Sequence, residues 1–319
     1  MAIFIREDEV RSLLSMHDAL ASVEQVFRLK GEGKADNRPR QRPRLEASML
    51  QTMPGAVSGL GLGLKAYTVT PHGVRFLVLL WDDVSGELLA LVEAAELGRI
   101  RTGAASGVAT KFLARRESNT VGMFGSGFQA SAQLEAICGV RSIHEAYVYS
   151  RTETNRRAFA EEQSERLGIP VHPVARPEEA AGADIVVTIT SSADPLFPVS
   201  ALRQGAHLNG AGCNRAGSAE IAPEVFGKAA RIFIDDVTQG REEAGDLIRA
   251  VSTGAASWER VEELGDLVAE HAAGRKDDEE ITVFKSIGIA IEDIAVARRV
   301  YELALSKGAG EPLPRSTLG

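Results

Sequence analysis

Over roughly the first third of the chain, the spacing of apolar residues changes several times. Ile3 to Ile5 form a short apolar run that suits a strand. After Ser15, apolar residues recur at Met16, Leu20, Val23 and Phe27. That spacing predicts an amphipathic helix, with the Ser15 hydroxyl placed to cap its first turn and Gly31-Glu32-Gly33 to end it. The run Asn37-Arg38-Pro39-Arg40-Gln41-Arg42-Pro43-Arg44 alternates and must be extended, because a residue before proline avoids the helical region. Residues 48–53 and 61–70 read as strands. A hairpin follows, Arg75 to Trp81 and Leu88 to Val92, joined by the polar stretch 82–87. Residues 94–114 are rich in small side chains and read as a helix interrupted at Gly98. This part is therefore α+β, with an antiparallel sheet.

From residue 119 the pattern becomes a regular alternation. Apolar strands at 119–124, 145–149, 183–190, 206–211 and 231–235, and a shorter one at 170–174, are separated by helical stretches. This predicts an α/β, doubly wound domain. The stretch that begins at Ser286 then predicts a long helix to about Ser306, apolar on most faces at its start and so buried. A Rossmann domain at 116–284 is thus expected to be inserted into an α+β substrate and dimerisation domain made of 1–115 plus 285–319.

The first strand of the alternating region leads into Gly125-Ser126-Gly127-Phe128-Gln129-Ala130. Gly125 permits a tight turn, Gly127 lets the backbone approach a pyrophosphate, and Ala130 is small enough for close packing of helix on strand. The following helix would point its unbonded N–H groups at the phosphates. Dinucleotide-binding folds commonly carry an acid at the tip of the second strand to hold the ribose of NAD. Here that strand ends in Ser150-Arg151-Thr152, with Arg156 and Arg157 a turn later. Hydroxyls and guanidinium groups suit a 2′-phosphate, which favours NADP(H) and leaves NAD(H) as the second choice.

Charge and composition narrow the rest. A net charge of −8 and the lack of a basic block with interleaved aromatics argue against nucleic acid. No apolar run is long enough to span a bilayer, and the N-terminus carries no signal-like core, so a cytoplasmic protein is expected. Cys138 and Cys213 match no metal spacing and read as reduced thiols; no metal is expected.

Six stretches together resemble the ornithine cyclodeaminase/mu-crystallin family. They are Pro39-Arg40, Met53-Pro54-Gly55, Gly63-Leu64-Lys65, Arg101-Thr102-Gly103-Ala104, the G-x-x-G-x-G-x-Q-A of 122–130, and Phe284 to Ala295. The resemblance implies a homodimer, with substrate groups on the first domain and NAD(P) on the Rossmann domain. It implies hydride exchange between the nicotinamide and the Cα–N bond of a small amino or imino acid. The family's two arginines and lysine around the substrate carboxylate fall on Arg40, Arg101 and Lys65. Met53 and Arg42 are expected beside them, and alternation leaves open which arginine of 38–44 faces the substrate. Burial in an apolar strand would make Lys65 easy to deprotonate, as proton transfer at nitrogen requires. Thr102, Thr190, Ser191, Gly210, Ala211 and Gly212 are further expected cofactor contacts. Lys285 and Ser286, at the start of the terminal helix, are expected to close over the nicotinamide.

One position departs from the family pattern. Where cyclodeaminases and alanine dehydrogenases of the family carry a catalytic aspartate, this chain has Asn214, and an amide takes up no proton near neutral pH. Asp235 and Asp236, at the end of the next strand, could supply a carboxylate instead, but read first as a strand-end turn. The sequence therefore points to a reductase of a small, cyclic α-imino acid, with Asn214 orienting substrate or cofactor. An ornithine cyclodeaminase, an alanine dehydrogenase-like enzyme and a mu-crystallin-like binding protein without turnover are the rivals.

Overall fold

The computed structural model describes residues 2–314. Residues up to Arg101, together with those from Ile289 on, form one compact unit, and Thr102–Gly288 form the other. In chain order the first unit begins with β1 (Ile3–Ile5), α1 (Glu7–Leu13), α2 (Met16–Gly31), β2 (Ala35–Asn37), β3 (Met49–Val57), β4 (Gly61–Thr70), β5 (Gly73–Trp81) and β6 (Leu88–Glu93). α3 (Ala95–Leu113) carries the chain into the second unit. That unit holds β7 (Thr120–Phe124), α4 (Ala130–Val140), β8 (Glu145–Tyr149), α5 (Glu153–Leu167), β9 (Val171–Pro173), α6 (Pro177–Ala181), β10 (Ile185–Thr188) and β11 (His207–Gly210). It continues with α7 (Pro223–Lys228), β12 (Arg231–Ile234), α8 (Val237–Glu243), α9 (Gly245–Ser252), β13 (Val261–Glu263), α10 (Leu264–Val268) and β14 (Thr282–Lys285). α11 (Ala290–Lys307) and β15 (Glu311–Pro312) return to the first unit.

The first unit is a seven-stranded sheet in the order β15-β1-β6-β5-β4-β3-β2, antiparallel except where β1 runs parallel to β6. Ser15 caps α2 as expected, its Oγ accepting from Asp18 N at 3.1 Å. α11 lies on one face of this sheet, against β3 and β4. Gly63 permits that approach, since a Cβ there would collide with the Ile294 side chain. The pleat gives each face its own rows. Met53, Lys65, Val78 and Val92 are cross-strand neighbours and are all buried, whereas Pro54, Leu64, Leu79 and Leu91 form the next row on the opposite face and are only partly covered or exposed.

The second unit is an all-parallel sheet in the order β13-β12-β14-β11-β10-β7-β8-β9. The chain steps outward from β7 through β8 to β9, then returns to place β10 on the other side of β7. The C-terminal ends of β7 and β10 therefore border the switch point, where ligands of such sheets bind. The core beneath is continuous and apolar, built from Val121, Met123, Leu134, Ile137, Val148 and Val187 among others.

Three readings of the sequence need correction, and one helix went unread. α3 runs through Gly98 without interruption, with Gly98 N bonded to Ala94 O at 3.0 Å. β3 does not stop at 53 but passes through Pro54, which is tolerated near a sheet edge because only the short β2 lies beyond it. α1 was not legible as a helix. The terminal helix starts at Ala290 rather than Ser286, because 282–285 is a buried central strand between β11 and β12. The compact units themselves divide at Arg101/Thr102, inside α3, and after Gly288; the expectation from the sequence was 115/116 and 284/285.

Candidate functional site

In the second unit, the turn after β7 opens a cleft of about 470 Å³ at the switch point. Gly125 has φ +114°, its N–H bonds Tyr149 O at 2.9 Å, and a Cβ there would strike the Ile189 carbonyl. Gly127 differs: among the described residues, nothing beyond its chain neighbours lies within 4 Å of a Cβ placed on it. Packing does not require glycine there, but a ligand lying against the bare backbone would. Ser126, Phe128 and Gln129 complete this wall, and the buried Ala130 begins α4. The residues present fit a dinucleotide: a tight glycine turn, an uncrowded backbone and a helix N-terminus all meet one cleft.

The far wall carries the tip of β8. Ser150, Arg151 and Thr152 line the cleft with Asn155, and no carboxylate stands among them. Ser126 Oγ donates to Ser150 Oγ at 3.0 Å. Arg156 does not line the cleft; its Nη1 donates to the Ser150 carbonyl at 3.1 Å and so braces the tip. On the other side of the switch point, Thr190, Ser191 and Gly212 line the cleft. A smaller adjoining cavity of about 160 Å³ is lined by Cys213, Asn214 and Arg215 together with the same loop residues. Gly210 and Ala211 lie behind this wall, Gly210 O accepting from Ser286 N at 2.9 Å and Ala211 N bonding Thr188 O at 2.8 Å. The Thr102 carbonyl accepts from Gln133 Nε2 at 3.1 Å.

Lys285 and Ser286 are not at the start of a helix. Lys285 ends β14, is fully buried, and pairs with Asp246 Oδ2 at 2.7 Å. The Ser286 hydroxyl donates to Asp235 Oδ2 at 3.2 Å. Asp235 also accepts from Ile287 N and Gly288 N, both at 2.8 Å, and burial raises its carboxyl to about 6 against those bonds. Asp236 caps α8. The strand-end reading of both aspartates holds.

In the first unit the sequence-marked cations converge. Lys65 Nζ lies 2.7 Å from Asp293 Oδ1 on α11, and Arg101 donates to the same oxygen through Nε at 3.0 Å and to Glu292 Oε2 through Nη1 at 2.6 Å. All four side chains are buried. Gly98 leaves room for the ammonium, since a Cβ there would sit 3.3 Å from Lys65 Nζ. Burial and then the Arg101 charge pull Lys65 down to about 8, with Asp293 opposing them and Arg40 adding to them. Arg40 is buried, Arg42 half-buried, and Arg38 and Arg44 are exposed, so the structure singles out one arginine of the run. Met53 is buried beside Lys65, its cross-strand partner.

The sequence reading missed Glu292 and Asp293 as partners of these cations, and Glu220 and Asp246 in the second unit. The signal was present for the first pair: two acids inside the apolar stretch Ile287 to Ala295 must find buried partners. Among the described residues, no cluster of three or more His, Cys, Asp or Glu could hold a metal, and no helix is long and apolar enough to cross a membrane.

A profile of the ornithine cyclodeaminase/mu-crystallin family matches residues 2–308. The chain belongs to this family. It is 40% identical over 269 residues to a Delta(1)-pyrroline-2-carboxylate reductase of Bacillus cereus, covering 81% of this chain and 82% of that one. It is 37% identical over 320 residues to an alanine dehydrogenase of Archaeoglobus fulgidus, covering 98% of each. Among solved structures, Delta(1)-pyrroline-2-carboxylate reductase of Thermococcus litoralis in complex with NADH and L-proline superposes with a TM-score of 0.93 at 34% identity. That match covers 98% of this chain and 100% of that one. The family assignment and the Rossmann fold with its separate, largely antiparallel sheet thus agree with the sequence reading.

Proposed function

We propose that the chain is an NADP(H)-dependent reductase of a small, cyclic α-imino acid, forming the L-amino acid. The observation that carries this reading is Lys65, a buried ammonium drawn to about 8 between Arg101, Arg40 and Asp293. Such a group gives up a proton near neutral pH, as a general acid must. Arg40 and Arg101 grip the substrate carboxylate, and Glu292 and Asp293 hold the Arg101 guanidinium in orientation. Lys65 delivers a proton to the imine nitrogen. The bound cofactor supplies the hydride that the imine carbon accepts, so the C=N bond becomes CH–NH with one proton and one hydride added. Asn214 orients substrate or cofactor from the smaller cavity and, being an amide, activates no water.

The similarity to pyrroline-2-carboxylate reductases supports the cyclic substrate. The full-length similarity to an alanine dehydrogenase favours a linear imino acid as the second reading. The acid-free tip at Ser150-Arg151-Thr152 supports NADP(H) as the preferred cofactor, with NAD(H) accepted, as in the NADH-bound relative. The apolar outer row of the first unit's sheet, Leu64, Leu79 and Leu91, supports a homodimer formed through that face. The test is a panel of cyclic and linear imino acids with NADPH and NADH, followed by reduced-nicotinamide absorbance, with ammonia release from ornithine measured in parallel. Brisk oxidation of NADPH with Δ1-pyrroline-2-carboxylate is expected. Ammonia release without imine reduction would overturn the reading in favour of a cyclodeaminase.

A further inference from the structure

We propose that Glu220, with Asp246 and Lys285, forms a positioning unit behind the nicotinamide side of the cleft, and that its surplus negative charge favours the oxidised, cationic nicotinamide over the reduced one. This rests on the dinucleotide reading of the cleft. The three side chains are fully buried and joined in series. Lys285 Nζ pairs with Asp246 Oδ2 at 2.7 Å and donates to Gly210 O at 3.2 Å. Asp246 Oδ1 accepts from Glu220 N at 2.5 Å and Ile221 N at 2.9 Å.

Glu220 then ties together the two loops that line the cleft beyond the switch point. Its Oε1 accepts from Thr190 N at 2.6 Å and Thr190 Oγ1 at 2.7 Å. Its Oε2 accepts from Gly212 N at 2.9 Å and Thr188 Oγ1 at 3.3 Å. Gly212 is pressed so closely here that a Cβ would lie 2.5 Å from Oε2 and 2.5 Å from the Thr190 backbone. Ribose recognition belongs to the β8 tip, so these loops face the nicotinamide half of a bound dinucleotide.

Each Glu220 oxygen receives a backbone N–H, a group that can only donate. A protonated acid would waste one of those contacts on its hydroxyl, so the arrangement fits the ionised form. Burial, with the Asp246 charge adding to it, raises Glu220 above the usual carboxylate range although the Lys285 charge and the Thr190 bonds oppose it, so the ionised form rests on the two backbone N–H donors. Two carboxylates against one ammonium leave one negative charge in excess. Scaffolding alone would be served as well by amides and hydroxyls, which bury without the desolvation penalty of a charge. The nicotinamide ring is cationic only when oxidised, so a fixed anion close behind it distinguishes the two cofactor forms.

The test is titration of NADP+ and NADPH separately into the wild type, Glu220→Gln and Asp246→Asn, with binding read by calorimetry and folding by thermal unfolding. Each variant removes one negative charge at a different place, and Asp246→Asn carries the test if Glu220→Gln does not fold. With the charge gone, NADP+ should weaken on the order of tenfold while NADPH changes by no more than about twofold, as expected for one charge acting across a short, poorly screened distance. Thr190→Val, which deletes a hydrogen bond and no charge, should shift both forms alike. Equal loss of both forms in the charge variants would show a purely mechanical scaffold and overturn the proposal, as would no change in either. A wild type that binds neither form would instead overturn the dinucleotide reading itself.

Discussion

Replacing Lys65 by methionine should separate catalysis from stability. The substitution keeps an unbranched stem of similar length and removes the ammonium. In the folded protein the group sits at about 8 instead of an ordinary 10.5, chiefly because it is buried. That difference corresponds to about 3 kcal/mol of disfavoured charge at neutral pH. The sign follows from linkage. The folded state holds this proton less tightly than the unfolded chain, so the penalty is absent above about pH 10.5, grows as pH falls, and is complete below about 8. Methionine removes the penalty. Asp293 keeps the Arg101 Nε contact at 3.0 Å and so is not left as a lone buried charge. Stability at pH 7 should therefore lie between unchanged and about 2 kcal/mol higher, which thermal or urea unfolding will read. Imine reduction should fall by about a hundredfold or more, the usual contribution of a general acid. NADPH affinity should hold, since every residue of the dinucleotide cleft belongs to the other compact unit. In the wild type, kcat/KM for reduction should decline as pH rises through about 8, as Lys65 loses its proton, and this limb should vanish in the variant. A variant that unfolds easily would show Lys65 to be a structural ion-pair partner, and a variant within about tenfold of wild-type turnover would remove it from the chemistry.

Three further outcomes follow from the same geometry. Ser150→Asp combined with Arg151→Ala should turn a preference for NADPH into one for NADH, by roughly 1–3 kcal/mol in competing titrations; tighter NADH binding by the wild type would refute the reading of the β8 tip. Gly127→Val should abolish cofactor binding in calorimetry yet leave the unfolding midpoint nearly unchanged, because among the described residues nothing beyond the chain neighbours lies within 4 Å of the added Cβ. Leu79→Glu, in the middle of the apolar row with Leu64 and Leu91, should halve the mass seen by light scattering at micromolar concentration; a wild type that is already monomeric would dispose of the dimer.

The sequence by itself determined the local physics: where strands alternate with helices, where a glycine turn must precede a helix, and that Ser15 caps α2. It also marked Arg40, Lys65 and Arg101 through the family resemblance, and Lys65 stood out besides as a lysine in an apolar strand. What it could not determine is which distant segments meet. Residues 282–285 were not read as a strand, because a fully buried parallel strand is a short apolar run without period, and only its ladder to β11 and β12 identifies it. Four alternating arginines were equivalent in sequence, and the bridge of Gln41 to Thr52 fixed the register that buries Arg40. Glu220 and Asp246 gave no signal until folding placed them against Thr190 N and Lys285, and the apolar surroundings of Glu292 and Asp293 called for buried partners without saying that these would be Arg101 and Lys65. Burial of a charge is decided by its partner, and partners more than a hundred residues apart, as Lys65 and Asp293 are, become neighbours only through the tertiary fold.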